Sequence, residues 1–126
     1  MIYLDTSAAV KLLIDEPESA QTRAFFDAHE SALVSSTLLA VELNAVADRR
    51  LISTDAANDV IERVALVALD DQVAATAIAL HSGLRTLDAL HLATAVHIGD
   101  AVEGILCFDA ELNAAASRAG IPALRL

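Results

Sequence analysis

Aromatic residues, cysteine and cations are all scarce in this chain, and no long apolar run crosses it. Cysteine occurs once, tryptophan not at all, tyrosine once and phenylalanine three times in 126 residues. A single Cys107 excludes an intramolecular disulfide, and its place in an apolar run suits a reducing compartment, with the cytoplasm as the expected location. No stretch approaches the roughly eighteen apolar residues of a membrane span. The N-terminal MIYLD lacks the basic segment of a secretion signal. His29, His81 and His97 show no pairing pattern, so the His and Cys spacing of a zinc site is missing. His91 stands alone in an alanine- and leucine-rich helical pattern and reads as a packed histidine. Eight Lys plus Arg face eighteen Asp plus Glu, a formal net charge of -10. Such a field repels polyanions, and a nucleic-acid function would need local correction by divalent cations or a basic protein segment.

What is present is apolar and periodic. Hydrophobic residues make up 56% of the chain, enough for one compact domain over residues 1–126. Short apolar runs, IYL (2–4), ALV (32–34), VALVAL (64–69) and ILCF (105–108), with a weak PALRL at the end, alternate with segments of helical spacing such as SAAVKLL, SAQTRAFFDAH, DQVAATAIALHSG and LDALHLATAVHIG. That alternation predicts an α/β fold: a mainly parallel sheet with helices on both faces. Pro17 and the pair Thr54 and Asp55 mark helix starts, and Gly83, Gly99 and Gly120 mark helix ends.

Acidic residues fall where such a fold binds ligands, beyond the carboxyl ends of the strands. MIYLD and ILCFD are apolar strands that each end in an Asp and run into a helix, which brings Asp5 and Asp109 to that edge. Asp88 follows Thr86, read as the N-cap of DALHLATAV, and so sits in a first helical turn. Glu42 is the anomaly. In STLLAVELNAVADRR its helical neighbours are Leu38, Leu39, Ala45 and Val46, so a carboxylate lies on the stripe that should face a core. Carboxylates brought together repel and raise one another's pKa unless a cation neutralises them, and oxygen ligands select Mg²⁺ or Mn²⁺.

The residues YLDTSA, ELNAV, LRTLDALHLATA and LCFDAELNAAASRAG, in that order and spacing, resemble the PIN-domain ribonucleases, and more closely the VapC toxins of toxin-antitoxin pairs. The resemblance spans essentially the whole chain and implies a PIN-like three-layer sandwich. It implies Asp5, Glu42, Asp88 and Asp109 as the catalytic and metal-holding acids, with Thr6 and Ser7 as hydroxyls that ligate or orient. Two departures stand out. Cys107 occupies a position where the family often has Thr or Ser, and the nearest further acid, Glu111, falls on the next helix and is left outside the site.

The chemistry these acids predict is metal-assisted phosphodiester hydrolysis with one or two Mg²⁺ or Mn²⁺ ions, and the resemblance implies RNA as the substrate. Candidate phosphate contacts are Lys11, Arg49, Arg50 and Arg85, which form no dense patch, and Tyr3, Phe25, Phe26 and Phe108 read as core or strand residues. A structured RNA recognised by shape fits better than a stacked single strand, as the resemblance also implies. The resemblance further implies a small VapB-like antitoxin that obstructs the acidic site, and a homodimer. Phosphatase and receiver chemistry fit poorly: the first would want a second Asp at Ser7, the second a Lys at the end of a late strand. The alternative is a catalytically weak PIN-like binding module acting through a protein partner.

Overall fold

The structure, a computed structural model, describes residues 1–126. Four strands, β1 (Ile2–Leu4), β2 (Leu33–Ser36), β3 (Ala65–Val67) and β4 (Gly104–Leu106), alternate with seven helices: α1 (Thr6–Leu13), α2 (Ser19–Ala28), α3 (Thr37–Arg50), α4 (Thr54–Ile61), α5 (Asp71–Leu80), α6 (Thr86–Ile98) and α7 (Ala110–Arg118). The strands form one sheet in the order β3-β2-β1-β4, and every pairing is parallel. No helix is long and apolar enough to cross a membrane.

Alternation along the strands divides the core into two layers. Ile2, Leu4, Leu33 and Leu106 point to one face, where they pack with Ala8, Phe26, Leu39 and Leu43 of α1, α2 and α3. Tyr3, Val34, Ile105 and Cys107 point to the other, against Leu92 and Ala95 of α6 and Leu112, Ala115 and Ala116 of α7. Strands apolar on both faces require this double cover. The result is the expected helix–sheet–helix sandwich.

Turns from strand to helix are short because a residue at the strand's end, or one to three residues past it, caps the helix. Asp5 accepts the Ser7 N–H at 3.2 Å, Ser36 accepts the Leu38 N–H at 3.0 Å, and Asp109 accepts the Leu112 N–H at 2.9 Å. Each satisfies an otherwise orphaned donor in a first helical turn.

Local readings shift in four places. β2 runs two serines past its apolar stretch, since the Ser35 hydroxyl donates to the Leu4 carbonyl at 2.6 Å and Ser36 is needed as a cap. Only Ala65–Val67 of the run 64–69 is paired. Thr86 is the first residue of α6, and Arg85 is its N-cap, without a side-chain bond. Phe108 lies beyond β4 and is 37% exposed, because the chain has already turned toward α7.

The C-terminal PALRL segment forms a strap along β4. Its Leu124 N–H donates to the Ile105 carbonyl at 2.9 Å, and the Ile105 N–H donates to the Pro122 carbonyl at 2.9 Å. Gly104 permits this approach: a Cβ there would lie 2.7 Å from Leu124 Cδ2 and 3.0 Å from the Pro122 carbonyl oxygen.

Candidate active site

The strand order 3-2-1-4 reverses direction between β1 and β4, and the crevice beyond their carboxyl ends is where such sheets bind ligands. Asp5 follows β1 and Asp109 follows β4, so the two flank that crevice. Glu42 reaches it from the second turn of α3, and Asp88 from the first turn of α6. The proximity is electrostatically visible at Asp88. Burial, then the charges of Asp5 and Asp109, and more weakly that of Glu42, push its carboxyl above the ordinary Asp range, against an opposing pull from His91.

Asp5 is 5% exposed and anchored by its Oδ2, which accepts from the Ser7 N–H and, at 3.5 Å, from the Cys107 thiol. Cys107 Sγ also accepts the Asp109 N–H at 3.2 Å, so one sulfur links both strand-end acids. Burial, followed by the Asp5 charge, pushes the thiol up to about 12, so it remains a neutral donor near pH 7. The support expected of a Thr or Ser at this position is thus supplied by a longer, weaker S–H contact. The Ser7 hydroxyl accepts the Phe108 N–H at 2.9 Å and ties the start of α1 to the end of β4.

Glu42 has its charge offset from within the chain. The Thr6 hydroxyl donates to Glu42 Oε1 at 2.7 Å, and His91 Nε2 lies 2.7 Å from the same oxygen. Burial works to raise the Glu42 carboxyl, but the hydrogen bonds from His91 and Thr6 outweigh it and hold the group below the ordinary Glu range. His91 is a packed histidine, 1% exposed, yet it also touches Tyr3 and approaches Asp5. Sequence spacing does not reveal these contacts, because the partners come from β1, α1 and α3, distant in sequence; the one local signal is its place one turn after Asp88.

A groove of about 330 Å³ opens beside Glu42, lined by Thr6, Leu38, Val41, Val46, Arg49 and Leu87 among others. Arg49 is the only cation of the four candidates that lines it. Glu111 lies exposed on the first turn of α7.

No three His, Cys, Asp or Glu side chains converge tightly enough to cage an ion by themselves. The donors at the crevice are carboxylate oxygens. Such a set suits a cation that keeps much of its own water, as Mg²⁺ does, and not one that demands a closed shell of His and Cys. At Asp88, burial and then the charges of Asp5 and Asp109 disfavour the ionised carboxylate, a cost that a bound cation would offset.

The model of the PIN domain family matches residues 2–117. Ribonuclease VapC46 of Mycobacterium tuberculosis (strain ATCC 25618 / H37Rv) is 33% identical over 121 residues, spanning 95% of this chain and 93% of the relative. Ribonuclease VapC47 (strain CDC 1551 / Oshkosh) is 35% identical over 118 residues, spanning 89% and 87%. Ribonuclease VapC35 of that strain is 36% identical over 123 residues, spanning 92% and 90%.

Proposed function

The chain belongs to the PIN-domain family, alongside the VapC proteins, and from that premise we propose that it is a VapC-like toxin, an endoribonuclease dependent on Mg²⁺ or Mn²⁺. The observation that carries this reading is the gathering of Asp5, Glu42, Asp88 and Asp109 about the switch point of the sheet, where burial first and then the charges of Asp5 and Asp109 push the Asp88 carboxyl up. These four acids are the residues that would hold the cation. When bound, the cation supplies charge neutralisation at the scissile phosphate and acidification of a water.

The chain's own residues set the geometry in which that happens. Ser7 and Cys107 fix Asp5 through Oδ2, while Oδ1 lies 3.7 Å from His91 Nε2. Thr6 orients Glu42. The Ser7 bond to Phe108 keeps the two strand-end acids in register across β1 and β4. In the overall reaction water adds to phosphorus and a P–O bond to the leaving ribose oxygen breaks, with the leaving oxygen taking up a proton.

Arg49, at the rim of the groove beside Glu42, is the candidate phosphate contact, and a structured RNA, recognised by shape and few charges, is the substrate class. Val41 is 67% and Leu87 48% exposed at the same groove, an apolar surface suited to a VapB-like antitoxin whose basic residues meet the acids behind it. A homodimer acting in the cytoplasm completes the proposal.

The test is cleavage of structured RNAs by the protein freed of antitoxin, in Mg²⁺ or Mn²⁺ and in EDTA, with Asp5→Asn alongside. Asn still caps α1, so loss of cleavage in a folded Asp5→Asn variant supports the assignment. Wild-type cleavage by that variant would refute it. The sparse cations favour one rival, a PIN-like binding module with little catalysis. It predicts antitoxin binding with no cation-dependent cuts on any RNA.

A further inference from the structure

His91 is buried on α6 with both ring nitrogens engaged. Nδ1 lies 2.8 Å from the Tyr3 hydroxyl, and Nε2 lies 2.7 Å from Glu42 Oε1, 3.1 Å from Thr6 Oγ1 and 3.7 Å from Asp5 Oδ1. Neither nitrogen has a lone pair left for a metal. An ionised carboxylate only accepts, so Nε2 carries a hydrogen and donates it to Glu42. In the neutral ring this leaves Nδ1 as an acceptor, filled by the Tyr3 O–H. The Tyr3 ring is wholly buried and meets the imidazole edge-on, with centroids 5.9 Å apart and planes at 74°.

Both hydrogen bonds to Glu42 fall on Oε1, and none falls on Oε2. A Glu side chain left alone would rotate about its terminal bond and offer either oxygen. With Thr6 and His91 on one oxygen, the carboxylate plane is set and the other oxygen is kept for the crevice. His91 is in turn set by a rigid group, since Tyr3 sits in the central strand.

We infer that Tyr3 and His91 form a positioning device for Glu42: Tyr3 braces His91, and His91 commits Glu42 Oε1 so that Oε2 is presented to the divalent cation. His91 is a positioning residue and not a ligand. This inference rests on the metal-dependent reading above. Groups that orient metal-binding side chains are commonly worth about 10- to 100-fold in metal affinity or activity.

The decisive experiment is Mn²⁺ titration of the purified protein, following free Mn²⁺ by its electron paramagnetic resonance signal, with thermal melts to establish folding. His91→Leu keeps bulk and removes both polar contacts. It weakens Mn²⁺ binding by about 10- to 100-fold and lowers kcat with the KM for RNA unchanged. His91→Gln, which returns an N–H donor near Nε2, recovers most of the loss. Tyr3→Phe, a smaller change that removes only the brace, moves Mn²⁺ affinity in the same direction by a few fold. In a Glu42→Gln background His91→Leu adds no further loss, because the group it positions is gone; a merely structural His91 would still move affinity there. If folded His91→Leu, or Tyr3→Phe where His91→Leu does not fold, binds Mn²⁺ like the parent while Glu42→Gln does not, the positioning role is overturned and the metal site stands. If Glu42→Gln also leaves Mn²⁺ binding unchanged, the metal reading fails and this inference with it.

Discussion

Replacing Asp88 with Asn should make the cation-free protein more stable, and the pH dependence of that gain is the sharpest check on the acidic crevice. Asp88 is half-buried and faces the charges of Asp5, Asp109 and Glu42, with only His91 opposing them. Partly exposed charge pairs contribute a few tenths to about 1 kcal/mol each, so the penalty removed by a neutral amide is about 1 kcal/mol after allowance for solvent screening. With an unfolding entropy of roughly 2.1 cal/mol/K per residue over 126 residues, that corresponds to about 4 °C in Tm. The sign follows from linkage. A folded-state carboxyl pushed above its unfolded value stays protonated while the unfolded chain ionises, so wild type loses stability as pH rises from the unfolded Asp value through the raised folded one. Below that window Asp88 is neutral in both states and the Tm difference between variant and wild type should shrink. Above it the difference should hold constant, and it should narrow in high salt. Differential scanning calorimetry at a series of pH values, in EDTA and then in Mn²⁺, reads all of this. Mn²⁺ should reverse the order by stabilising wild type more than the variant. An Asp88→Asn protein that melts below wild type at pH 7 in EDTA, or a Tm difference independent of pH, would refute the crowding on which the site rests.

Arg49→Ala should raise the KM for RNA with kcat unchanged and reduce the salt slope of binding by about 1, the signature of a lost phosphate contact, as read by cleavage kinetics and filter binding across salt. Cys107, whose thiol is pushed up to about 12, should resist iodoacetamide at pH 8 in the native protein and react on unfolding, as measured by mass spectrometry. Cys107→Thr should match or exceed wild-type cleavage, since a hydroxyl is the stronger donor to Asp5. Gly104→Ala should cost about 1–3 kcal/mol in denaturant melts, because its methyl group drives into Leu124 and the Pro122 carbonyl of the strap.

The alternation of strands and helices was legible because apolar runs and helical periodicity are local signals. Ile2–Leu4 is legible to the residue, whereas Ser35 and Ser36 of β2 look like loop residues until their hydroxyls are seen bonded to Leu4 and capping α3. Asp5 and Asp109 could be placed at the crevice from an Asp directly after an apolar strand. Glu42 was conspicuous as a charge among apolar neighbours, yet what offsets that charge was only half visible. A cation was expected; two of the partners are Thr6 and His91, brought to Glu42 by the crossing of α1, α3 and α6. Tyr3 read as a core aromatic, which it is, but its hydroxyl end has a polar task that periodicity does not encode.

The central place of β1 orders events in time as well as in space. Of the four strands β1 is synthesised first and has β2 on one side, but its other neighbour, β4, comes after α6 and is held in place by a strap that follows it in the chain. Until that pairing forms there is no crevice between β1 and β4 and nothing to set Asp109 opposite Asp5. A chain still being made, or broken off before β4, therefore carries the acids scattered along an open half-sheet. For a protein that would cut the RNA around it, assembly of the site waits until β4 has been made and paired with β1.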